Sequence, residues 1–383
     1  MLRIPIPALV YRSRSLCLPV LLTLVVAWAT HQVHADTKPE PKSWRVFAPS
    51  RKSESLLIVR AAESTPGKLT LKLEKRVPLG FTAATITSHP TKPWLYVASN
   101  RSKDGKADGV MIKLNADGSY NSKHPASLAH GYSYLSVDRS GKYLFGCSYG
   151  GGQIDVYTLN KDGSIGENVW GLNEWRKAAH CVLVSPDNRF VYIPYVKDNN
   201  ALYQYRFDPN SGSLHALKPK NALPPDGTGP RHMAYHPSKP IAYFSNEQHI
   251  GVSVYEMQDT GQLKLRQVCD AVKPTFEKKG VSSSDIVITP DGKFLFAGIR
   301  GHSQEVDAVS RYRIKEDGTV EHLGMTKADK IPWGFTLSPD GKYVLVTGFK
   351  AGTLTAFAID NKGDLKRAAS LGWDMQISDV VAR

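Results

Sequence analysis

Short apolar runs alternate with polar turns along almost the whole chain, and one of these turns recurs at a nearly constant spacing. Pro and Asp-Gly or Asp-Asn favour turn dihedrals, and the aromatic and aliphatic run after each turn has the composition of a β-strand. The strongest copies begin at Ser185, Thr289 and Ser338, and weaker copies begin at His89, Asp138 and His236. The second residues of successive copies lie 47 to 53 positions apart, which is the period of a repeat architecture.

A second turn, marked by a glycine, falls between the copies of the first. Its glycines are Gly67, Gly118, Gly163, Gly212, Gly261, Gly318 and Gly363. Two turns divide each repeat into four short strands, which is one blade of a β-propeller. The sequence therefore predicts an all-β, seven-bladed β-propeller that occupies residues 44–383 as one domain.

The unequal numbers of the two turns predict how the ring closes. The second turn occurs seven times and the first only six, and the copy at Gly67 precedes every copy of the first turn. The N-terminal blade therefore lacks its innermost strand. The chain end, from Gln376 to Val381, has strand composition and no blade of its own. We expect this C-terminal strand to join the N-terminal blade and close the ring.

The first 35 residues differ from the repeats. Arg3, Arg12 and Arg14 precede an apolar stretch from Leu16 to Ala29, and Val33-His34-Ala35 has the small-x-small pattern of a cleavage site. The apolar stretch is too short to span a membrane. These features predict a signal peptide over residues 1–35, cleaved after Ala35, and a linker over residues 36–43; an uncleaved anchor is the alternative. We expect a secreted or periplasmic protein without stable membrane insertion after cleavage.

Charge and cysteine content narrow the expected partners. The formal net charge is +14, and loss of the three arginines of the signal peptide leaves about +11, which favours anionic ligands. We find no zinc-finger spacing, RNA-binding aromatic motif or dense Lys/Arg run, so nucleic acid is not an expected partner. Cys147, Cys181 and Cys269 predict no disulfide framework. Nothing in the sequence predicts an oligomeric state.

The repeat also locates the residues at one mouth of the central channel. Positions equally far before and after the first turn face each other across the hairpin of the two innermost strands. Six residues before the second residue of each copy, at the minus-six position, lie Ala84, Ser133, His180, Arg231, Ser284 and Trp333. Ten residues after it, at the plus-ten position, lie Asn100, Tyr149, Val196, Glu247, Arg300 and Phe349. We expect the two positions to lie within about one residue of opposite one another.

Four ionisable residues from three consecutive blades converge at this mouth, namely His180, Arg231, Glu247 and Arg300. A lone Arg–Glu pair is usually structural, and a lone histidine is usually only a hydrogen-bonded residue. Four such groups at equivalent positions are costly to bury without a use, so we interpret them as catalytic. The residues expected to bind substrate beside them are Tyr149, Ser284, His232 and Trp333.

We expect no cofactor and no metal at this site. The histidines near it form no recognised ligand motif, and no helix follows Gly150-Gly151-Gly152, as a phosphate-binding loop requires. Strand alternation points Cys181 away from the face of His180, so we interpret Cys181 as a buried thiol and not as a nucleophile.

Several segments match those of a known family. The most specific is Gly229–Pro237, followed by Asn246-Glu247; His180-Cys181, Ser148–Tyr157 and Arg300–His302 match further segments. Over residues 44 to 383 the chain resembles the seven-bladed propeller lactonases, which include the cycloisomerase-type 6-phosphogluconolactonases and the fungal carboxymuconate lactonising enzymes. This resemblance implies a site formed by the same four residues, His180, Arg231, Glu247 and Arg300.

The chain departs from the family pattern at one loop. Ile299 and Ser303 stand where related sequences often have Asn and Asp, and the stretch from Gln304 to Ser310 is longer than usual. We expect this loop to reshape the substrate pocket.

These residues suit the hydrolysis of a small anionic lactone of the 6-phosphogluconolactone type. His180 or Glu247 would take a proton from water and the other would act as acid. Arg231 would stabilise the oxyanion, while Arg300 would hold the substrate anion. The alternatives are a muconate-type cycloisomerase and a non-catalytic exported propeller that binds a ligand; a quinone-dependent dehydrogenase lacks the acidic cluster for its metal.

Overall fold

Seven four-stranded antiparallel sheets are arranged as the blades of a propeller, which confirms the predicted fold. The computed structural model describes residues 42–173, 176–372 and 376–383, and within these ranges it contains 28 strands. The first strand begins at Lys42, two residues before the predicted start of the propeller. The predicted signal peptide and the linker up to residue 41 lie outside the described residues. Within the described ranges, none of the helical segments is both long and apolar enough for a membrane span.

Each blade uses strands that are consecutive in the chain, except the first. Blade 1 contains β1 (Lys42–Ser50), β2 (Ser55–Thr65), β3 (Lys68–Pro78) and β28 (Val381–Ala382); blade 2 β4 (Ala83–Ser88), β5 (Trp94–Lys103), β6 (Lys106–Leu114) and β7 (Tyr120–Leu128); blade 3 β8 (Tyr134–Val137), β9 (Tyr143–Cys147), β10 (Ile154–Leu159) and β11 (Ile165–Leu172); blade 4 β12 (Leu183–Val184), β13 (Phe190–Tyr195), β14 (Ala201–Phe207) and β15 (Leu214–Asn221). Blade 5 contains β16 (Pro230–Tyr235), β17 (Ile241–Asn246), β18 (Gly251–Met257) and β19 (Leu263–Asp270); blade 6 β20 (Val281–Ile288), β21 (Phe294–Gly301), β22 (Ala308–Ile314) and β23 (Val320–Lys327); blade 7 β24 (Pro332–Leu337), β25 (Tyr343–Gly348), β26 (Thr353–Ile359) and β27 (Leu365–Gly372). A short 3-10 helix spans Lys197–Asn199.

Side-chain hydrogen bonds explain why the first turn recurs with the same residue types. In blade 6 the Thr289 hydroxyl donates to Asp291 Oδ1 at 2.6 Å, and the backbone N–H of Lys293 donates to the same oxygen at 3.1 Å. Gly292 follows the aspartate with φ +70°, a left-handed conformation that glycine adopts without steric cost. The Ser-Pro-Asp-Gly turn at Ser338 repeats this arrangement, with a hydroxyl to Asp340 distance of 2.7 Å.

The C-terminal segment closes the ring, as predicted. β28 pairs with β1 through Val46–Ala382 and Phe47–Val381, and Ile377 forms a separate bridge to Ser50. The predicted strand from Gln376 to Val381 is not continuous, because the ladder is interrupted at residues 378–380. There, the Asp379 carboxylate accepts the backbone N–H of Ile86 in blade 2 at 2.9 Å.

The hydrophobic core lies between neighbouring blades. Each large buried cluster takes residues from two adjacent sheets; one, for example, joins Phe145 of blade 3 to Ile193 of blade 4. Blade 7 packs on blade 1 in the same way, through residues that include Leu345, Leu57 and Ile377. Burial of apolar surface is the main favourable term in folding, so these contacts hold the innermost strands around the channel axis.

A bulge shifts the register that the repeat predicts. In blade 5 the ladder pairs Pro230 with Asn246, and the pairing shifts before Met233. Extension of this pairing places Arg231 opposite Ser245, two residues from Glu247, whereas the prediction allowed about one residue. A bulge adds one residue to a strand and changes the direction of the side chains beside it.

Candidate active site

A cavity of about 420 Å³ lies at the channel mouth that the repeat identified. Most of its lining comes from the minus-six and plus-ten positions of the blades. The lining residues are Arg51, Ala84, Asn100, Ser133, Tyr149, Gly150, His180, His232, Glu247, Arg300, Trp333, Ser378 and Asp379. Six of the eight predicted site residues are among them, and the two that are not are Arg231 and Ser284.

The carboxylate of Glu247 is the centre of the charged cluster. Its Oε2 lies 2.9 Å from Arg231 Nε, 3.4 Å from Arg300 Nη2 and 4.0 Å from His180 Nε2. Glu247 and both arginines are buried. The structure therefore brings the four residues together, with one oxygen of Glu247 within 4.0 Å of the other three.

Arg231 lies beneath the cavity and not at its surface. Its side chain is completely buried, and its guanidinium lies 5.8 Å from the Trp333 ring. The approach to Glu247 is close but lacks hydrogen-bond alignment, so no guanidinium nitrogen of Arg231 has a hydrogen-bond partner among the described residues. The expected contact between Arg231 and a reacting carbonyl is therefore wrong in this geometry, because Arg231 is covered.

Arg300 presents its guanidinium to the cavity instead. Its Nη2 donates to the carbonyl of Ser283 at 2.7 Å, and the group lies 4.7 Å from the Trp333 ring. Burial and the neighbouring Arg231 lower the pKa of Arg300 to about 9. That value is above neutral pH, so the side chain stays cationic and can face developing negative charge.

Two histidines and a carboxylate form a chain of contacts beside Glu247. His180 Nδ1 lies 3.2 Å from His232 Nε2, and His232 Nδ1 lies 2.7 Å from Asp285 Oδ1. Burial and the positive charge of Arg231 lower the pKa of both histidines, that of His180 the more strongly. Both rings are therefore neutral at neutral pH. Sequence reasoning did not predict Asp285, which follows Ser284 by one residue.

Blade 1 supplies three cavity residues that the repeat could not locate, namely Arg51, Ser378 and Asp379. Its hairpin has no copy of the first turn, because its two innermost strands come from opposite ends of the chain. The bridge of Ser50 to Ile377 corresponds to the pairing of Pro230 with Asn246, so alignment of the chain end with blade 5 would have found all three.

Arg51 and Asp379 bring charge to this wall of the cavity. Arg51 Nη2 donates to Asn100 Oδ1 at 3.2 Å, and burial together with the nearby Arg101 lowers the pKa of Arg51. Burial raises the pKa of Asp379 to about 7, although backbone N–H donors and Thr85 oppose the rise. At neutral pH this wall is therefore positive at Arg51, whereas Asp379 is only partly ionised.

Ser284 and Cys181 do not take part in the cavity surface. The Ser284 hydroxyl is fully buried and donates to the Pro332 carbonyl at 2.7 Å, so the expected substrate contact is wrong. Cys181 is also fully buried, and burial raises the pKa of its thiol to about 12. The predicted burial of the Cys181 thiol is confirmed.

Two aromatic residues, Tyr149 and Trp333, line the cavity. The Tyr149 ring meets His180 edge to face with centroids 5.4 Å apart, and Lys197 Nζ lies 5.6 Å from the Tyr149 centroid. The Trp333 ring lies tilted against that of Phe349, with the centroids 4.6 Å apart. Across the described ranges, no three His, Cys, Asp or Glu side chains are placed to hold a metal ion together.

Comparisons with known proteins place this geometry in context. Residues 49–372 match the family model described as "Lactonase, 7-bladed beta-propeller". A 6-phosphogluconolactonase of Enterobacter sp. (strain 638) is 31% identical over 317 residues, which are 82% of this chain and 91% of the relative. One from Klebsiella pneumoniae (strain 342) is 32% identical over 78% of this chain and 87% of the relative. The solved periplasmic gluconolactonase PpgL of Pseudomonas aeruginosa has the same fold, with a TM-score of 0.78 at 22% identity over 89% of this chain and 99% of that one.

Replacement of Glu247 by Gln tests the central role of its charge in the buried cluster. Glu247→Gln leaves two buried guanidinium groups without a counter-charge, so we expect the free energy of unfolding to fall by about 3–5 kcal/mol. The matched control is Glu256→Gln, since Glu256 forms an ion pair of the same 2.9 Å length with Arg266 in an exposed position. The control should cost less than about 1 kcal/mol. Chemical denaturation measures both, and equal losses would contradict the assignment.

Proposed function

The chain belongs to the seven-bladed β-propeller lactonase family, and on this basis we propose that it hydrolyses a sugar-type lactone to the corresponding hydroxy acid. The observation that carries the proposal is the meeting of His180, Glu247 and Arg300 at one cavity, with Glu247 Oε2 within 4.0 Å of both partners. Lactone hydrolysis needs a base for water, a positive group for the carbonyl oxygen and a proton for the ring oxygen. These residues supply each of the three.

Arg300 is the residue that we assign to the reacting carbonyl. It reaches the cavity, whereas Arg231 is covered. A fixed cation in a largely dehydrated site stabilises the oxyanion of a tetrahedral intermediate, since it needs no reorganisation during the reaction. Arg231 lies below Glu247 and holds that carboxylate in place. His180 or Glu247 then receives the proton of the attacking water.

Arg51 is the group that we assign to a substrate anion. Arg300 has Glu247 as a counter-charge, whereas Arg51 lies on the other wall beside Asn100 and near a second arginine. A guanidinium presents paired donors that fit a carboxylate or a phosphate. A phosphorylated aldonolactone, held at Arg51 by its phosphate and at Arg300 by its carbonyl, is the substrate class we propose.

A panel of lactones tests the proposed reaction. We expect the protein to hydrolyse aldonolactones, with and without a phosphate, faster than their spontaneous rate in a pH-stat. His180→Ala should lower kcat by about 100-fold or more, whereas His124→Ala, on an exposed outer strand, should not change it. Turnover of muconates with no turnover of any lactone would instead favour the cycloisomerase reaction.

Arg51→Gln tests the anion site separately from the reaction. Loss of a charge-assisted hydrogen bond costs about 1.5–3 kcal/mol, so we expect KM for a phosphorylated lactone to rise about 10-fold or more. KM for the unphosphorylated lactone and both kcat values should change little. Arg60→Gln, which removes an exposed arginine of β2, is the control. Equal effects on the two substrates would remove Arg51 from the anion site.

We propose further that the chain is exported and processed after Ala35. The basic N-terminus, the apolar stretch from Leu16 to Ala29 and the small residues at Val33 and Ala35 support this. Expression in a bacterium with an outer membrane should place a chain that begins at Asp36 in the periplasmic fraction, as intact mass spectrometry would reveal. A full-length chain in the membrane fraction would instead indicate an uncleaved anchor.

A further inference from the structure

Three side chains from consecutive blades form a continuous hydrogen-bonded chain that ends at the cavity. His180 precedes β12 in blade 4, His232 belongs to β16 in blade 5, and Asp285 belongs to β20 in blade 6. The contacts are 3.2 Å between the two imidazoles and 2.7 Å between His232 and Asp285. His180 reaches the cavity, whereas Asp285 does not line it.

The direction of the protons in this chain follows from Asp285. Its Oδ1 accepts the backbone N–H of Ile286 and its Oδ2 accepts that of Phe335, both at 2.8 Å. Burial acts to raise the pKa of Asp285, but His232 and these two donors outweigh it and keep the pKa below its usual value. Asp285 is therefore an ionised acceptor, and His232 Nδ1 must carry the proton between them.

The tautomer of His180 is then determined. Because His232 is neutral with its proton on Nδ1, its Nε2 can only accept, so it receives the Nδ1–H of His180. His180 is also neutral, and its Nε2 is left without a proton. This Nε2 is the atom that faces Glu247 at 4.0 Å, so the ring presents a lone pair on the side of the cavity.

We infer that His232 and Asp285 are positioning residues that fix His180 in the tautomer of a general base. The inference rests on the proposed lactone hydrolysis. His180 Nε2 takes one proton of water as the water oxygen bonds to the carbonyl carbon. As the intermediate collapses, the bond from that carbon to the ring oxygen breaks, and the proton on Nε2 passes to the ring oxygen. Water and lactone are thereby converted to hydroxy acid, and His180 returns to its starting state.

Glu247 already serves as the counter-charge of two arginines, which lie within 3.4 Å of its Oε2. His180 is therefore the residue that we assign as the base. The groups that face His180 are Glu247, Arg231, Arg300, His232 and the ring of Tyr149. Burial and the cations lower the pKa of His180, so its basic form persists to lower pH than in a free histidine. Activity should therefore be lost only as the pH falls below the ordinary histidine value of about 6.5.

Nitrogen-15 NMR of the histidine rings tests the tautomers in the unmodified protein. We expect His180 and His232 to be protonated at Nδ1 and unprotonated at Nε2 at pH 7.5, with assignment by His180→Gln and His232→Gln. A proton on His180 Nε2 at this pH would overturn the inference. The measurement needs no turnover, so it remains valid if no lactone proves to be a substrate.

Asp285→Asn tests the origin of the tautomer. An amide can donate to His232 Nδ1, which would reverse both rings, so we expect kcat to fall by about 100-fold or more while KM stays nearly constant. Asp379→Asn is the matched structural control, because Asp379 makes equivalent backbone contacts to Val380 and Ile86 but touches neither histidine. It should leave the His180 ring signals unchanged. An unchanged kcat in Asp285→Asn, or the same ring shifts in both variants, would refute the positioning role.

A pair of substitutions at His232 separates positioning from packing. In His232→Gln, the amide oxygen can occupy the position of the former His232 Nε2 and accept the Nδ1–H of His180. His232→Leu fills the same space without an acceptor. We expect Gln to retain at least about 10-fold more kcat than Leu, with similar KM values. Equal losses in the two variants would indicate a packing role only and contradict the inference.

Discussion

The propeller depends on the contact between the two ends of its chain. Arg45 and Arg383 exchange two backbone hydrogen bonds of 2.8 Å, and Ile377 is buried against blade 1. A closed ring leaves no blade without a neighbour on either side. The entropic cost of joining distant residues rises only with the logarithm of their separation, so closure over more than 300 residues costs little more than closure over a shorter loop. The same closure brings Arg51 and Asp379 to the cavity, so the contact that completes the fold also completes the wall of the site.

The second constraint is the burial of two like charges, those of Arg231 and Arg300, for which the carboxylate of Glu247 is the counter-charge. Arg231 has no hydrogen-bond partner among the described residues and no exposed surface, which is an expensive state for a guanidinium. The carboxylate at 2.9 Å and the face of Trp333 offset part of this cost. Arg231 does not line the cavity, so its charge acts on Glu247, whereas Arg300 lines the cavity beside that carboxylate.

The repeat in the sequence was sufficient to predict the number of blades, the closure of the ring and the convergence of four ionisable residues. Each of those residues lies in a hairpin that contains the first turn, so its position could be counted from that turn. Arg51 and Asp379 could not be located in this way, because the two innermost strands of their blade come from opposite ends of the chain. The prediction for Ser284 was wrong, and Asp285 was missed, for a different reason. The register shift beside them recurs at the same place in blades 2, 5 and 7, yet Ala84 and Trp333 at the position of Ser284 line the cavity. The position in the repeat alone therefore does not decide which side chain reaches the cavity.

Asp285 and Asp379 indicate how a repeated structural position acquires a chemical role. Each carboxylate accepts the N–H of the following residue and one N–H from the innermost strand of the next blade. Only Asp285 also contacts a histidine. The pKa of Asp285 is lowered, whereas burial raises the pKa of Asp379 to about 7. The backbone contacts alone are thus compatible with either protonation state. His232 is the difference: it makes the ionised form of Asp285 the stable one, and an ionised Asp285 can orient a ring that reaches the cavity through His180.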